Sequence, residues 1–143
     1  MELLAALIGA VIGGCLVLVG DAVSRRQERR HETMRQLVHA AADLASANIR
    51  IIGAAIDARE KGVAEGHLDL LTPDRYEALT RFFMQPGSEK LRDEATALSH
   101  RVNELLAAYA GPDESWTAAR LGWRESLFAF EAAMRAIGRR GLS

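Results

Sequence analysis

Four histidines, one cysteine and nineteen acidic residues are the groups in this chain best suited to acid–base, nucleophilic or metal chemistry, and their spacing assembles no site. Glu28 and His31 have the i, i+3 spacing of a di-iron ligand pair, but such a centre needs a second pair and two more carboxylates from facing helices. They sit instead among arginines, as solvated charges do. His39 and Asp43 are one helical turn apart, like many surface pairs. His67 falls in a connecting segment, and His100 lies just off an apolar seam. No HExxH, phosphate loop, nucleophile elbow or zinc spacing is present. Cys15 is the sole cysteine, which excludes disulfide frameworks and cysteine-based zinc sites. The expectation is a non-enzymatic protein with no catalytic residue, no metal, no cofactor and no small-molecule substrate.

The charges that do cluster are basic. Arg25, Arg26, Arg29, Arg30 and Arg35, set against Glu28 and Glu32, give the segment a local charge of +3. Basic residues beside a membrane span keep their side cytoplasmic. They also attract anionic lipid headgroups, at about 1 kcal/mol per well-placed residue. Both roles stay open for Arg25, Arg26, Arg29 and Arg30. The last helix carries Trp116 and Trp123 with Arg120, Arg124, Arg135, Arg139 and Arg140, the content of an interfacial helix. Its acids, Asp113, Glu114, Glu125 and Glu131, dilute that charge, and its apolar stripe is what a bundle core requires. The net charge of −1 draws the protein to no nucleic acid.

These arginines follow an apolar run. Leu3 to Gly20 (LLAALIGAVIGGCLVLVG) contains no charged residue. As a helix it rises about 27 Å, close to the hydrocarbon thickness of a bilayer. The run is expected to be a transmembrane anchor (residues 1–21), followed by a basic juxtamembrane neck (22–35) and a helical bundle domain (36–143). With the basic neck inside, the N-terminus faces out and the body lies at the inner face of the plasma membrane, as a single-pass protein. Two processed forms compete with this reading. Ile12-Gly13-Gly14-Cys15 resembles a lipidation box, although LVLVG continues the apolar run beyond Cys15. Gly20-Asp21-Ala22 resembles a cleavage site, although Glu2 stands where a signal peptide needs positive charge. Ala5, Gly9 and Gly13 recur every four residues, a small-residue ridge along which a second helix packs closely in lipid. The same residues are also common in spans that do not pair.

The remaining residues, about 115, suffice for one compact domain. Met34, Leu37, Ala41, Leu44, Asn48, Ile51 and Ala55 draw one apolar stripe on a helix that runs to about Arg59. Joined to the anchor, this helix would reach roughly 80 Å if unbroken. Asn48 falls on the stripe, either as a register-setting polar residue in a coiled-coil seam or as a hydrogen-bonded residue at a bundle edge. Lys61 to Leu71 reads as a loop. Thr72-Pro73-Asp74 starts a short helix with Tyr76, Leu79, Phe82 and Phe83 as its buried side. Gln85-Pro86-Gly87 ends it, and Ser88 is expected to cap a third helix with the seam Leu91, Ala95, Leu98, Val102, Leu105 and Tyr109. Gly111-Pro112 stops that helix, and Asp113 or Ser115 opens the last, with Trp116, Trp123, Leu127, Phe130, Met134 and Ile137 inward. The fold class expected is all-α: a transmembrane helix continuing into an antiparallel bundle of three long helices and one short helix.

An apolar–Gly span, the neck Ser24-Arg25-Arg26-Gln27-Glu28-Arg29-Arg30 and an Ala-rich helix together resemble the KilB-like membrane-anchored proteins of actinobacteria. The resemblance covers about the first 60 residues, rests on architecture and transfers no functional residue. It implies a plasmid-associated membrane protein. The arginine-to-lysine ratio of 16 to 2 points to a GC-rich bacterial genome. The expected function is a membrane-tethered interaction or scaffold protein whose partners are membrane lipid and either a second copy or another membrane protein. The competing class is a membrane-perturbing, holin-like or toxic phage or plasmid product. One short span with a large folded body argues against it.

Overall fold

A computed structural model describes the backbone of residues 2–63 and 72–141, with side chains over 24–63 and 72–139. The described residues are helical, with no strand among them. The elements are α1 (Glu2–Glu60), α2 (Thr72–Phe83), a 3₁₀ turn (Ser88–Leu91), α3 (Arg92–Ala107) and α4 (Asp113–Gly141). Two compact units divide the chain, residues 1–32 and residues 33–143, with the boundary inside α1. Among the described residues no helix is long and apolar enough to cross a membrane. The expected anchor, Leu3–Gly20, lies outside the residues whose side chains are described.

Residues 33–143 form the bundle, and its core follows the predicted stripes. One cluster joins Leu37, Ala41 and Leu44 of α1 to Phe82, Leu91, Leu98 and Phe130. A second joins Ile51, Ile52 and Ala55 to Val102, Leu105, Tyr109 and Trp116. Among the described side chains of α1, six of the eleven buried residues are alanines: Ala40, Ala41, Ala45, Ala47, Ala55 and Ala58. Small side chains let neighbouring helices approach α1 closely while costing no side-chain entropy. The large residues facing them, Phe82 and Phe130, fill the space and meet edge-to-face at 5.9 Å.

Each helix ends for a local reason. Gly62 adopts φ 68°, with Val63 N–H donating to the Ala58 carbonyl at 2.8 Å and Gly62 N–H to Arg59 at 3.1 Å. That is a Schellman end, and the left-handed position calls for glycine. Gly87, at φ 86°, turns the chain out of α2. The expected start of the third helix is corrected here. Ser88 does not cap it; its hydroxyl donates to the Phe83 carbonyl at 3.1 Å, and Ser88–Leu91 winds as a 3₁₀ turn before α3.

The buried side of α2 is corrected in part. Phe82 is buried and Leu79 and Phe83 pack half-buried against the core as expected, but Tyr76 is 50% exposed, and Arg75 and Ala78 are buried instead. Asn48 is fully buried, so it belongs to the bundle interior and not to its edge.

Candidate functional site

The surface best suited to a role is the basic neck, because it gathers like charges on one flank of a helix. Ser24 through Glu32 are exposed along α1. At 100° per residue, Arg25, Arg29, Arg26 and Arg30 fall within an arc of about 140°. Glu28 and Glu32 occupy the adjoining flank. Arg25, Arg29, Glu32 and Arg35 each have an interaction partner. The arrangement presents a strip of guanidinium groups, whose forked donors match phosphate oxygens. Ala5, Gly9, Gly13 and Cys15 lie in the helical backbone of α1 but outside the described side chains. The structure therefore places the arginines and leaves the small-residue ridge undescribed.

Two arginine arrangements, one buried and one half-buried, escaped the sequence reading. Arg75 is 1% exposed. Its Nη1 donates to Asn103 Oδ1 at 2.8 Å, and its Nη2 donates to the Ser99 carbonyl and hydroxyl at 3.0 and 2.8 Å. Its Nε has no partner among the described residues, and no carboxylate there pairs with it. Burial pushes the guanidinium below its usual range, with the nearby Tyr76 opposing the shift. It remains charged nonetheless, since arginine keeps its proton in proteins. All its ligands are neutral and belong to α3. The arrangement joins α2 to α3 and presents no reactive group to solvent. The only signal in the sequence was the pair Ser99 and Asn103, one turn apart beside an apolar seam.

Arg59 closes the other end. Its Nη1 donates to the Tyr109 and Ala108 carbonyls, and its Nη2 donates to the Gly111 carbonyl at 2.9 Å and Asp113 Oδ1 at 2.8 Å. Its guanidinium also lies 5.0 Å over the Trp116 ring. These carbonyls belong to the C-cap Ala108 and the turn just beyond it, at the negative end of the α3 dipole, where a cation is favoured. Tyr109 adds a bond from its hydroxyl to the Val63 carbonyl at 2.6 Å. This is a clasp over the α3–α4 turn.

Two cavities are lined by described residues. One, of about 280 Å³, is lined by Asp43, Ser46, Arg50, Asp74, Glu77, Ala78 and Arg81. Its charges are mixed, and Arg81 is already bonded to Glu77. A shallower one of about 480 Å³ is lined by Tyr76, Glu77, Thr80, Arg81 and Met84. Neither contains a histidine or cysteine, and no group of three or more metal-ligating side chains occurs among the described residues. Glu28, His31, His39 and Asp43 are all exposed. His100 is exposed too, with its Nε2 3.2 Å from Glu104 Oε1.

Comparison with protein-family models, curated proteins and solved structures yields no match to this chain.

Proposed function

We propose that this protein is a membrane-tethered, non-enzymatic interaction protein. In this reading Leu3–Gly20 spans the inner membrane and the body of residues 33–143 recruits a partner or a second copy at the cytoplasmic face. The observation that carries the reading is the order of residues along one helix. An eighteen-residue run without charge is followed, after Asp21-Ala22-Val23-Ser24, by the exposed flank of Arg25, Arg26, Arg29 and Arg30. An uncharged helical run of that length matches the bilayer core, and arginines at its end hold their side in the cytoplasm. The same guanidinium strip meets anionic headgroups at the surface. The ridge Ala5, Gly9 and Gly13 would then face a neighbouring span. Plasmid or phage association rests on the architectural resemblance alone.

Carbonate extraction of washed membranes, followed by intact-mass measurement, tests the reading. Full-length chain retained in the carbonate-resistant pellet and starting at Met1 is the expected result. Release into the supernatant would overturn the anchor. A chain starting at a lipidated Cys15, or after Ala22, would overturn the cytoplasmic orientation.

A further inference from the structure

The outer face of α4 repeats one pattern in both directions. Glu114, Thr117, Leu121, Arg124, Glu125, Phe128, Ala132 and Arg135 are all exposed, at successive intervals of 3, 4, 3, 1, 3, 4 and 3 residues. The order of intervals reads the same from either end. Leu121 is 56% and Phe128 58% exposed, two of the large apolar side chains the bundle leaves outside. An acid, Glu114, stands seven residues before the first, and a base, Arg135, stands seven after the second.

We propose that α4 pairs antiparallel with α4 of a second copy of this chain, about a two-fold axis passing between Arg124 and Glu125. In that register every position of one strip meets its complement on the other. Leu121 faces Phe128 of the second copy, Thr117 faces Ala132, Arg124 faces Glu125, and Glu114 faces Arg135. An isologous contact requires such self-complementarity. A parallel pairing in the same register would set Glu114 against Glu114 and Arg135 against Arg135, which like charges oppose. Glu131 competes for Arg135 within the helix only weakly, at 3.9 Å. Within one bilayer the pairing needs α4 to lie along the membrane plane; across two apposed membranes it does not. The contact belongs to residues 33–143 and holds whether or not Leu3–Gly20 enters a bilayer.

Disulfide cross-linking of the full-length chain in detergent tests the register, in a Cys15→Ala background. The rise of 1.5 Å per residue puts two copies of position 125 side by side and two copies of position 114 about 30 Å apart along the axis. Glu125→Cys alone should therefore cross-link. Glu114→Cys and Arg135→Cys should cross-link when mixed and not when separate. Glu114→Arg and Arg135→Glu should each weaken the Glu125→Cys cross-link several-fold, and the double reversal should restore it. Absence of the 125 cross-link, or self-cross-linking of Glu114→Cys as strong as the mixture, would overturn the proposal. Loss of the 125 cross-link in Gly13→Ile would also overturn it, by assigning the association to the N-terminal helix.

Discussion

Replacing Asn48 with leucine should stabilise the bundle. Asn48 is fully buried between the two core clusters, flanked along α1 by Leu44 and Ala45 on one side and Ile51 and Ile52 on the other. Its Nδ2 donates to the Leu44 carbonyl of its own helix at 2.8 Å, and its Oδ1 has no partner among the described residues. Burying a polar acceptor without a partner costs about 1–3 kcal/mol. The Leu44 carbonyl, as a helical position, already has a backbone donor in reach. Leucine branches at the same carbon, so two methyl groups take the places of the amide oxygen and nitrogen. The substitution removes the orphaned acceptor and adds buried apolar surface, against an overpacking cost of about 1–3 kcal/mol for the added volume. Those two effects roughly cancel, so the net gain is the burial of the two added methyl groups, about 1–2 kcal/mol at ~0.8 kcal/mol per buried group, or roughly 4–8 °C in melting temperature for a body of this size. Asn48→Asp works in reverse: an unpaired buried carboxylate should destabilise strongly at neutral pH and recover as acid protonates it. Thermal unfolding of the full-length chain followed by circular dichroism reads both variants. A loss of stability in Asn48→Leu, with its oligomeric state unchanged, would refute the reasoning, because it would mean that Oδ1 is satisfied in solution.

Substitutions at three other positions test the polar contacts. Arg59→Ala should cost about 2–3 kcal/mol, since several carbonyls at the end of α3 lose a charged donor, and Arg59→Lys should recover less than half because a single ammonium cannot span them; denaturant titration compares the two. Arg75→Met should cost about 1–3 kcal/mol, since Ser99 and Asn103 lose their inward donor and relief of the buried charge offsets only part of that, whereas Arg75→Glu should unfold α2 from the bundle as read by loss of helicity. Glu104 is held below its usual carboxylate range chiefly by the hydrogen bond from Arg101, with the Arg101 and His100 charges adding to it. A depressed carboxylate stabilises the folded state above its unfolded pKa and loses that contribution as pH falls through the folded value. The difference between the wild type and Glu104→Gln in denaturant midpoint should therefore be present at pH 7 and shrink as pH falls below the ordinary carboxylate value of 4.5; a difference that grows on acidification would contradict the assignment.

The long stripes were legible because their periodicity extends over many turns. On α1, Leu37, Ala41, Leu44, Ile51 and Ala55 are all buried, as are the six seam positions from Leu91 to Tyr109. A stripe of that length fixes the rotation of a helix to within a fraction of a residue, since an error of one position would expose several large side chains at once. The arginine cluster of the neck is visible in the sequence for a different reason: paired arginines at Arg25-Arg26 and Arg29-Arg30 need no tertiary contact to be recognised. Arg59 was hidden because its role depends on where the α3–α4 turn falls, fifty residues further along the chain.

The case of α2 shows where periodicity stops deciding. With twelve residues, the helix makes little more than three turns, and two faces were available to it. One, Tyr76, Leu79, Phe82 and Phe83, is the more apolar by residue type. The other, Arg75, Ala78 and Phe82, lies roughly 80° further round the helix and is the one fully buried, with Leu79 and Phe83 half-buried against the core and Tyr76 turned out. Phe82 is common to any workable choice, because it meets Phe83 at 5.3 Å and Phe130 at 5.9 Å, edge-to-face in both contacts. The rotation about Phe82 is then set by α3. Ser99 and Asn103 form a polar notch beside Leu98 and Val102, and an apolar residue against it would leave both side chains without an inward partner. Arg75 fills that notch with directed donors, while its stem supplies apolar contact and Tyr76 lies outside with the Arg75 charge 5.3 Å from its ring. Filling the notch from the other side should reverse the choice. Combining Ser99→Ala and Asn103→Leu with Arg75→Leu would leave an apolar surface on both helices, and the tyrosine fluorescence and solvent accessibility of Tyr76 would report whether α2 has turned. If Tyr76 stayed exposed in that triple variant, the rotation would be governed by Phe82 packing and the connection at Gly87, and not by the polar notch.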